Sequence, residues 1–338
     1  MNCIKFVIIP SLVLFAGIPS FSQTEMVANG NFETIAYKRA KGWVNIGSVD
    51  YYQNLKDGTL YSEIKQPQTI FGERYIGLGS FDGATEVLIA RLNNPMQKDN
   101  WYKISCYVLR QSSKFTPPAT EIAIYMSDTL IKSDLWYGFA GEVPFLSLLN
   151  KNKSLLDKAQ WEYVSYNYFS LGGERFICIG NFNGANKEQI EKFTFPHKRE
   201  KRKDELFFNY YYYYDSISVV AAAPPVGSKL IVSDLTFKKN EDKIISNNDE
   251  TLNVLIKYLR EYPDINIEVC GYTDNDGDQI FNMKLSERRS LAVKAWLCQR
   301  GIEAQRIKTM GFGENTPIDS NSTEAGKLKN RRVEIIIQ

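Results

Sequence analysis

Gly271-Tyr272-Thr273-Asp274-Asn275-Asp276-Gly277-Asp278-Gln279-Ile280-Phe281-Asn282-Met283-Lys284-Leu285-Ser286-Glu287-Arg288-Arg289 is the stretch on which the reading of this chain turns. An apolar run, Ile265 to Cys270, leads into it and reads as a strand. The Asp, Asn and Gly residues that follow form a turn, and Asp278 stands where a helix N-cap accepts main-chain N–H groups. With Gly301 as the stop, a helix is expected over 279 to 300. At about 100° per residue, Phe281, Leu285, Arg289, Ala292 and Trp296 share one face of it. Arg289 therefore falls inside an apolar stripe, where a guanidinium needs an anion, and an acidic turn lies three helical turns upstream.

Outward from this stretch, Leu230 to Phe237 reads as a strand. Leu252, Leu255, Ile256 and Leu259 give the i, i+3, i+4, i+7 stripe of a helix that starts near 246–249 and is stopped by Pro263. Further strands are expected over 306–311 and at Val333, Ile335 and Ile337. The order is βαβαββ, an α+β fold with two helices on one face of a small sheet. Upstream, Ala221-Ala222-Ala223-Pro224-Pro225-Val226-Gly227 shifts to small residues and proline, which marks a linker over 221–229 ahead of a domain over 230–338.

Gly271-Tyr272-Thr273-Asp274-Asn275, Asn282, Leu285-Ser286, Arg289, Arg306-Ile307, Gly311-Phe312-Gly313-Glu314, Pro317 and Asn330-Arg331-Arg332-Val333-Glu334 together resemble the OmpA/MotB-type C-terminal peptidoglycan-binding domain. The resemblance implies that Asp274 and Arg289 grip the diaminopimelate of the peptidoglycan stem peptide. Diaminopimelate ends in an ammonium and a carboxylate, which suits Asp274 for the first and a bidentate Arg289 for the second, with N–H groups at the helix start assisting. The alternative is an internal Asp274–Arg289 salt bridge. Thr273 and Asn275 flank the acid in the same motif, Asn282 is expected to shape the turn, and Phe237 either lines the site or fills the core. Of Arg331 and Arg332, one is expected to brace the ligand loop and the other to be solvated. Two departures are visible. Tyr272 stands where many members carry His, and Phe237-Lys238-Lys239-Asn240 lacks the acid that many place after the Phe.

Residues 24–220 carry the signals of an all-β domain. Tyr102–Leu109, Glu121–Tyr125, Tyr163–Tyr168 and Arg175–Ile179 are short, aromatic and β-branched, with Gly, Asn and Pro between them, and Tyr210–Tyr214 reads as a final strand. A two-sheet sandwich is the economical reading. Asn29-Gly30-Asn31-Phe32-Glu33, Gly42-Trp43, Tyr75-Ile76-Gly77-Leu78, Trp101-Tyr102, Gly172-Gly173-Glu174, Ile179-Gly180-Asn181-Phe182 and Tyr214-Asp215-Ser216-Ile217-Ser218-Val219 resemble the jelly-roll, galactose-binding-like and carbohydrate-binding-like modules of Bacteroidetes-type envelope proteins. Trp43, Tyr51, Tyr52, Trp101, Trp136, Tyr137 and Trp161 could stack on sugars but are expected mainly in the core. Asn31 and Glu33 could join a Ca²⁺ site, though an ordinary strand and turn is preferred.

Residues 1–22, with Lys5, an apolar run from Phe6 to Ile18 and small Ser20 and Ser22, have the three-part pattern of a secretory signal. No Cys stands at the cleavage point, so a lipoprotein is not expected, and the mature chain of roughly 315 residues offers no transmembrane span. A formal net charge of +2 points away from nucleic acid. Cys106, Cys178, Cys270 and Cys298 are expected as buried thiols rather than bridges. His197 is the sole histidine and sits beside the basic run 198–203, expected to be solvated; a histidine pair for a metal is excluded. No cofactor is called for. The expected function is a non-catalytic anchor, exported to the periplasm of a Gram-negative envelope, holding peptidoglycan by one domain and a second envelope or glycan partner by the other. A glycan-active enzyme with its site in the β domain is the alternative, and an outer-membrane barrel is disfavoured for want of a series of ~10-residue alternating strands.

Overall fold

The computed structural model describes residues 24–36, 39–46, 49–53, 72–81, 84–110, 123–131, 146–147, 160–180, 208–233, 237, 241–244 and 250–338. The expected signal segment, Trp136, Tyr137, His197, the run 198–203, residues 238–240 and the helix start at 246–249 lie outside them. The chain divides into two compact units between Ala222 and Ala223.

The first unit is built of β1 (Ile35–Ala36), β2 (Arg39–Ala40), β3 (Trp43–Ile46), β4 (Asp50–Gln53), β5 (Arg74–Phe81), β6 (Ala84–Thr85), β7 (Val87–Arg91), β8 (Trp101–Arg110), β9 (Ala123–Ser127), β10 (Leu146–Ser147), β11 (Glu162–Phe169), β12 (Phe176–Gly180) and β13 (Phe208–Ala221). One antiparallel sheet has the order β10-β9-β12-β7-β3 and another β11-β8-β13-β5-β4, with β6 beside β5. Leu88, Ile124, Ile177 and Ile179 of the first sheet and Ile76, Ile104, Cys106, Val164, Tyr212 and Tyr214 of the second share one apolar core. β13 shows why its tyrosine run is tolerated. With a side-chain period of two, Tyr212 and Tyr214 enter that core while Tyr213 packs on the opposite face with Tyr75 and Leu109. Its pairing with β8 slips between Asp215 and Ser218, a bulge that returns Ile217 and Val219 to the core.

Glu33 accepts N–H groups from Glu73 and Arg74 at 2.8 and 2.9 Å, and the Arg74 guanidinium donates to the Glu33 carbonyl at 2.7 Å. That carboxylate is a clasp between two chain segments. Among the described residues no group of three or more His, Cys, Asp and Glu converges to hold a metal. Cys106, Cys178, Cys270 and Cys298 are free thiols, the first three buried.

The second unit runs β14 (Lys229–Ser233), α1 (Glu250–Glu261), β15 (Ile267–Tyr272), α2 (Gln279–Cys298), a 3-10 turn (Ala304–Arg306), β16 (Ile307–Gly311), α3 (Glu324–Asn330) and β17 (Arg332–Ile337). The sheet order is β14-β17-β15-β16, antiparallel except for the β15–β16 pair. Leu252, Leu255 and Leu259 of α1 and Val293, Trp296 and Leu297 of α2 pack with Leu230, Val232, Ile267, Val269, Val333, Ile335 and Ile337, so both long helices cover one face. Arg306 donates to the carbonyls of Leu259, Tyr262 and Ile265 and closes the C-terminal end of α1.

One expectation is corrected: the fold carries a further helix, α3, capped by the Thr323 hydroxyl on the Gly326 N–H; seven residues are too few to display a stripe in sequence. The described part of the first strand is Lys229–Ser233, and Phe237 sits in an isolated bridge to Ile244. Between the units, Ala221 pairs with Tyr102 and the Gly227 N–H donates to the Ile337 carbonyl.

Candidate ligand-binding site

The site begins with two glycines. A Cβ on Gly271 would lie 2.0 Å from the Ser286 carbonyl oxygen, and one on Gly311 would lie 2.6 Å from the Glu287 N. Both strands therefore admit the main chain of α2, which explains why the buried face of that helix is Asn282, Leu285, Ser286, Arg289 and Ser290 before it becomes Val293, Trp296 and Leu297. Ser286 seals the junction by accepting the Gly313 N–H at 2.9 Å. Phe281, expected in the apolar stripe, is 43% exposed. It lies five residues, about 7.5 Å of helix, before the point where α2 meets the strand ends.

At the C-terminal end of β15 the chain turns through Thr273 to Asp278. The Asp278 carboxylate accepts the N–H groups of Ile280 and Phe281 at 2.9 and 3.2 Å and starts α2. Asp274, 5% exposed, accepts the Asp276 N–H at 3.1 Å through Oδ1 and the Arg331 guanidinium at 2.6 Å through Oδ2. The Asn282 side-chain amide donates to the carbonyls of Asp274 and Asp276 at 3.4 and 3.2 Å and to Glu314 at 2.8 Å, tying the turn to the helix. Thr273 is buried, and its hydroxyl has no hydrogen-bond partner among the described residues. Asn275 is exposed.

Arg289, two turns beyond Asn282 on the same face, is 2% exposed. Its Nε donates to the Glu241 carbonyl at 3.1 Å, and its guanidinium lies 5.1 Å from the centroid of the Phe237 ring. Phe237 is thus both core residue and neighbour of the charge. The internal Asp274–Arg289 salt bridge is not formed, since Asp274 pairs with Arg331.

Arg332 is buried rather than solvated. It donates to Glu334 at 2.8 Å, and its guanidinium lies 3.9 Å from the Tyr272 ring centroid; that ring in turn stacks on Phe312 at 5.1 Å. Tyr272 is thereby a structural platform on the sheet face away from α1 and α2. Burial acts to raise the Glu334 carboxyl, but hydrogen bonds from Lys229 and Arg332 outweigh it and hold the group below its ordinary value. Lys327 of α3 contacts Asp276 at 2.6 Å, a partner 51 residues away that no local spacing announces.

Residues 236–331 match the OmpA family. The C-terminal unit carries an OmpA-like domain. The chain is similar to the Probable lipoprotein YiaD of Escherichia coli (strain K12), with 40% identity over 105 residues that make up 31% of this chain and 48% of that protein. It is also similar to the Peptidoglycan-binding protein ArfA of Mycobacterium tuberculosis (strain ATCC 25618 / H37Rv), with 38% identity over 103 residues, 30% of this chain and 32% of that one. The chain therefore spans about half or less of the length of these relatives. The crystal structure of the peptidoglycan-associated lipoprotein from Burkholderia pseudomallei matches 32% of this chain and 89% of its own, at 24% identity and a TM-score of 0.30. Among the described residues no helix is long and apolar enough to cross a membrane.

Proposed function

We propose that this chain is a non-catalytic anchor of the bacterial cell envelope, exported to the periplasm, whose OmpA-like domain over 230–338 holds peptidoglycan. Asp274 takes the ammonium of the stem-peptide diaminopimelate and Arg289 its carboxylate. The observation that carries this reading is the burial of two opposite charges on one strand–turn–helix junction, where Asn282 fixes the turn. A ligand end that carries both an ammonium and a carboxylate complements a carboxylate and a guanidinium held on one junction. Similarity to a protein named for peptidoglycan binding supports the ligand class.

The unit over 24–220 is proposed as a jelly-roll sandwich that meets a second envelope or glycan partner. Two antiparallel sheets on one core support the fold, and the outward Tyr107 and Tyr163, 5.2 Å apart with Lys103 5.6 Å from the Tyr163 ring, support a stacking surface. A structural role for Glu25, Glu33, Glu86 and Glu174, all of which accept main-chain N–H groups, favours binding over hydrolysis.

Co-sedimentation of the full chain with purified diaminopimelate-type peptidoglycan tests the anchor. Wild type is expected to pellet and folded Asp274→Ala and Arg289→Ala to remain in solution; a soluble wild type contradicts the reading.

A further inference from the structure

We propose that the groove between the solvent-facing side of α1 and the C-terminal end of α2 is a second binding site of the OmpA-like domain, one that takes a phosphate group. It stands apart from Asp274 and Arg289. α2 is 20 residues long, about 30 Å, and the groove lies at the end away from the Asp278 cap. Asn253, Ile256, Lys257, Arg260 and Glu261 form one wall, at the i, i+3, i+4, i+7, i+8 spacing of a single helical face, and Arg300 forms the other. The space between them is about 690 Å³, and three cations share it with one carboxylate.

The two guanidiniums are held in place by neutral groups. Arg300 lies over the Trp296 ring, 3.6 Å from its centroid, and donates through Nη1 to the Trp296 carbonyl at 3.2 Å. Arg260 donates through Nη2 to the Arg300 carbonyl at 2.8 Å. Among the described residues neither meets a carboxylate, whereas Arg74 pairs with Glu33, Arg288 with Asp242 and Arg332 with Glu334. Closing the last carbonyls of α2 explains one bond from Arg300. Arg306 shows what such capping looks like when it is the whole role of the side chain: its Nε, Nη1 and Nη2 all end on main-chain carbonyls. Arg260 and Arg300 each use one of five donors in this way, which leaves the others open to the groove.

Stacking on Trp296 fixes the plane of Arg300, and the bond to the Arg300 carbonyl keeps Arg260 beside it, so less side-chain freedom is lost when an anion arrives. Charge and shape select the anion. A carboxylate is satisfied by the fork of a single guanidinium. A phosphomonoester brings three acceptor oxygens and close to two negative charges, which suits two guanidiniums and the Lys257 ammonium on one groove.

Calorimetric titration of the full chain with inorganic phosphate at low ionic strength tests this, using wild type, Arg260→Gln, Arg300→Gln, Arg300→Lys and, as a control for net charge, Lys308→Gln at an exposed position of β16. Wild type is expected to bind saturably and each glutamine variant to bind about tenfold more weakly. Arg300→Lys keeps the charge but loses the stacked fork, and is expected to weaken binding about threefold, with Lys308→Gln within about twofold of wild type. No saturable binding by wild type, or an equal loss in Lys308→Gln and the arginine variants, overturns the proposal. Succinate bound as tightly as phosphate overturns the choice of anion. Phosphatidylcholine vesicles with and without phosphatidic acid then separate the sources. Capture that needs phosphatidic acid and fails in Arg300→Gln makes the ligand a lipid headgroup, and phosphate binding without capture makes it a soluble phosphoester. A second measurement needs no variant: the side-chain Nε–H resonances of Arg260 and Arg300 in the wild-type chain should move as phosphate saturates the site, while that of Arg306 stays. Arg260 and Arg300 resonances unmoved at saturation place the anion elsewhere and overturn the site.

Discussion

Replacing Gly271 by Ala probes the junction on which the site is built. The new Cβ would lie 2.0 Å from the Ser286 carbonyl oxygen and 2.8 Å from its carbon, whereas ordinary contacts begin at 3.4 Å. The helix must therefore retreat by about 1.4 Å, because the obstacle is main chain and has no rotamer to change. Overpacking of this kind costs about 1–3 kcal/mol, and the retreat also strains the buried Gly313 N–H to Ser286 hydrogen bond, which contributes about 1 kcal/mol. A loss of about 2–4 kcal/mol is expected. For a unit of this size that lowers its melting temperature by about 8–30 °C. Scanning calorimetry of the full chain reads the transition of the C-terminal unit. Gly301→Ala is the control: nothing lies within 4 Å of its Cβ, so it carries only the strain of φ +89°, about 1–2 kcal/mol. Should Gly271→Ala prove no more costly than Gly301→Ala, the close approach of helix and strand is refuted.

Asp278→Ala removes the cap of α2 and should lower stability by about 1 kcal/mol in urea unfolding, with Asp278→Asn near wild type. Because the Glu334 carboxyl sits below its ordinary value of 4.5 when folded, it contributes stability above that pH which is lost as pH falls through the folded value; Glu334→Gln should flatten that part of the acid limb in denaturation measured against pH. Burial pushes the Cys106 thiol up to about 12 and the Cys178 thiol higher still, so in the native chain at pH 8 both should resist thiol reagents that label half-buried Cys298 first, with mass spectrometry locating the adducts.

Much of the C-terminal unit was legible because its signals are local. Asp278 as cap and Gly301 as stop bracket α2, and the stripe of α1 is regular. The face of α2 was harder. Arg289 and Leu285 are buried as the periodicity indicates, yet Ser286 and Ser290 are buried with them, because two strand glycines bring the main chain so close that only small side chains fit between. That close approach is encoded 15 residues upstream at Gly271 and 25 downstream at Gly311, beyond any helical period. The same holds for the charges. Thr273, Asp274, Arg289 and Arg331 stand in recognisable motifs, but Lys327, the partner of Asp276, comes from a helix too short to announce itself. In the first unit, alternation places Tyr212 and Tyr214 inside, whereas the bulge after Asp215 that resets it for Ile217 and Val219 leaves no mark in composition.

The central claim, that Asp274 and Arg289 grip the two charges of diaminopimelate, is tested most directly by comparing the affinity of the full chain for two stem peptides, one with diaminopimelate and one with lysine in its place. Lysine keeps the ammonium and lacks the carboxylate that Arg289 would hold. The account predicts binding at least about tenfold tighter for the diaminopimelate peptide, a preference that disappears in Arg289→Gln. Equal affinity for the two peptides in the wild-type chain would contradict it.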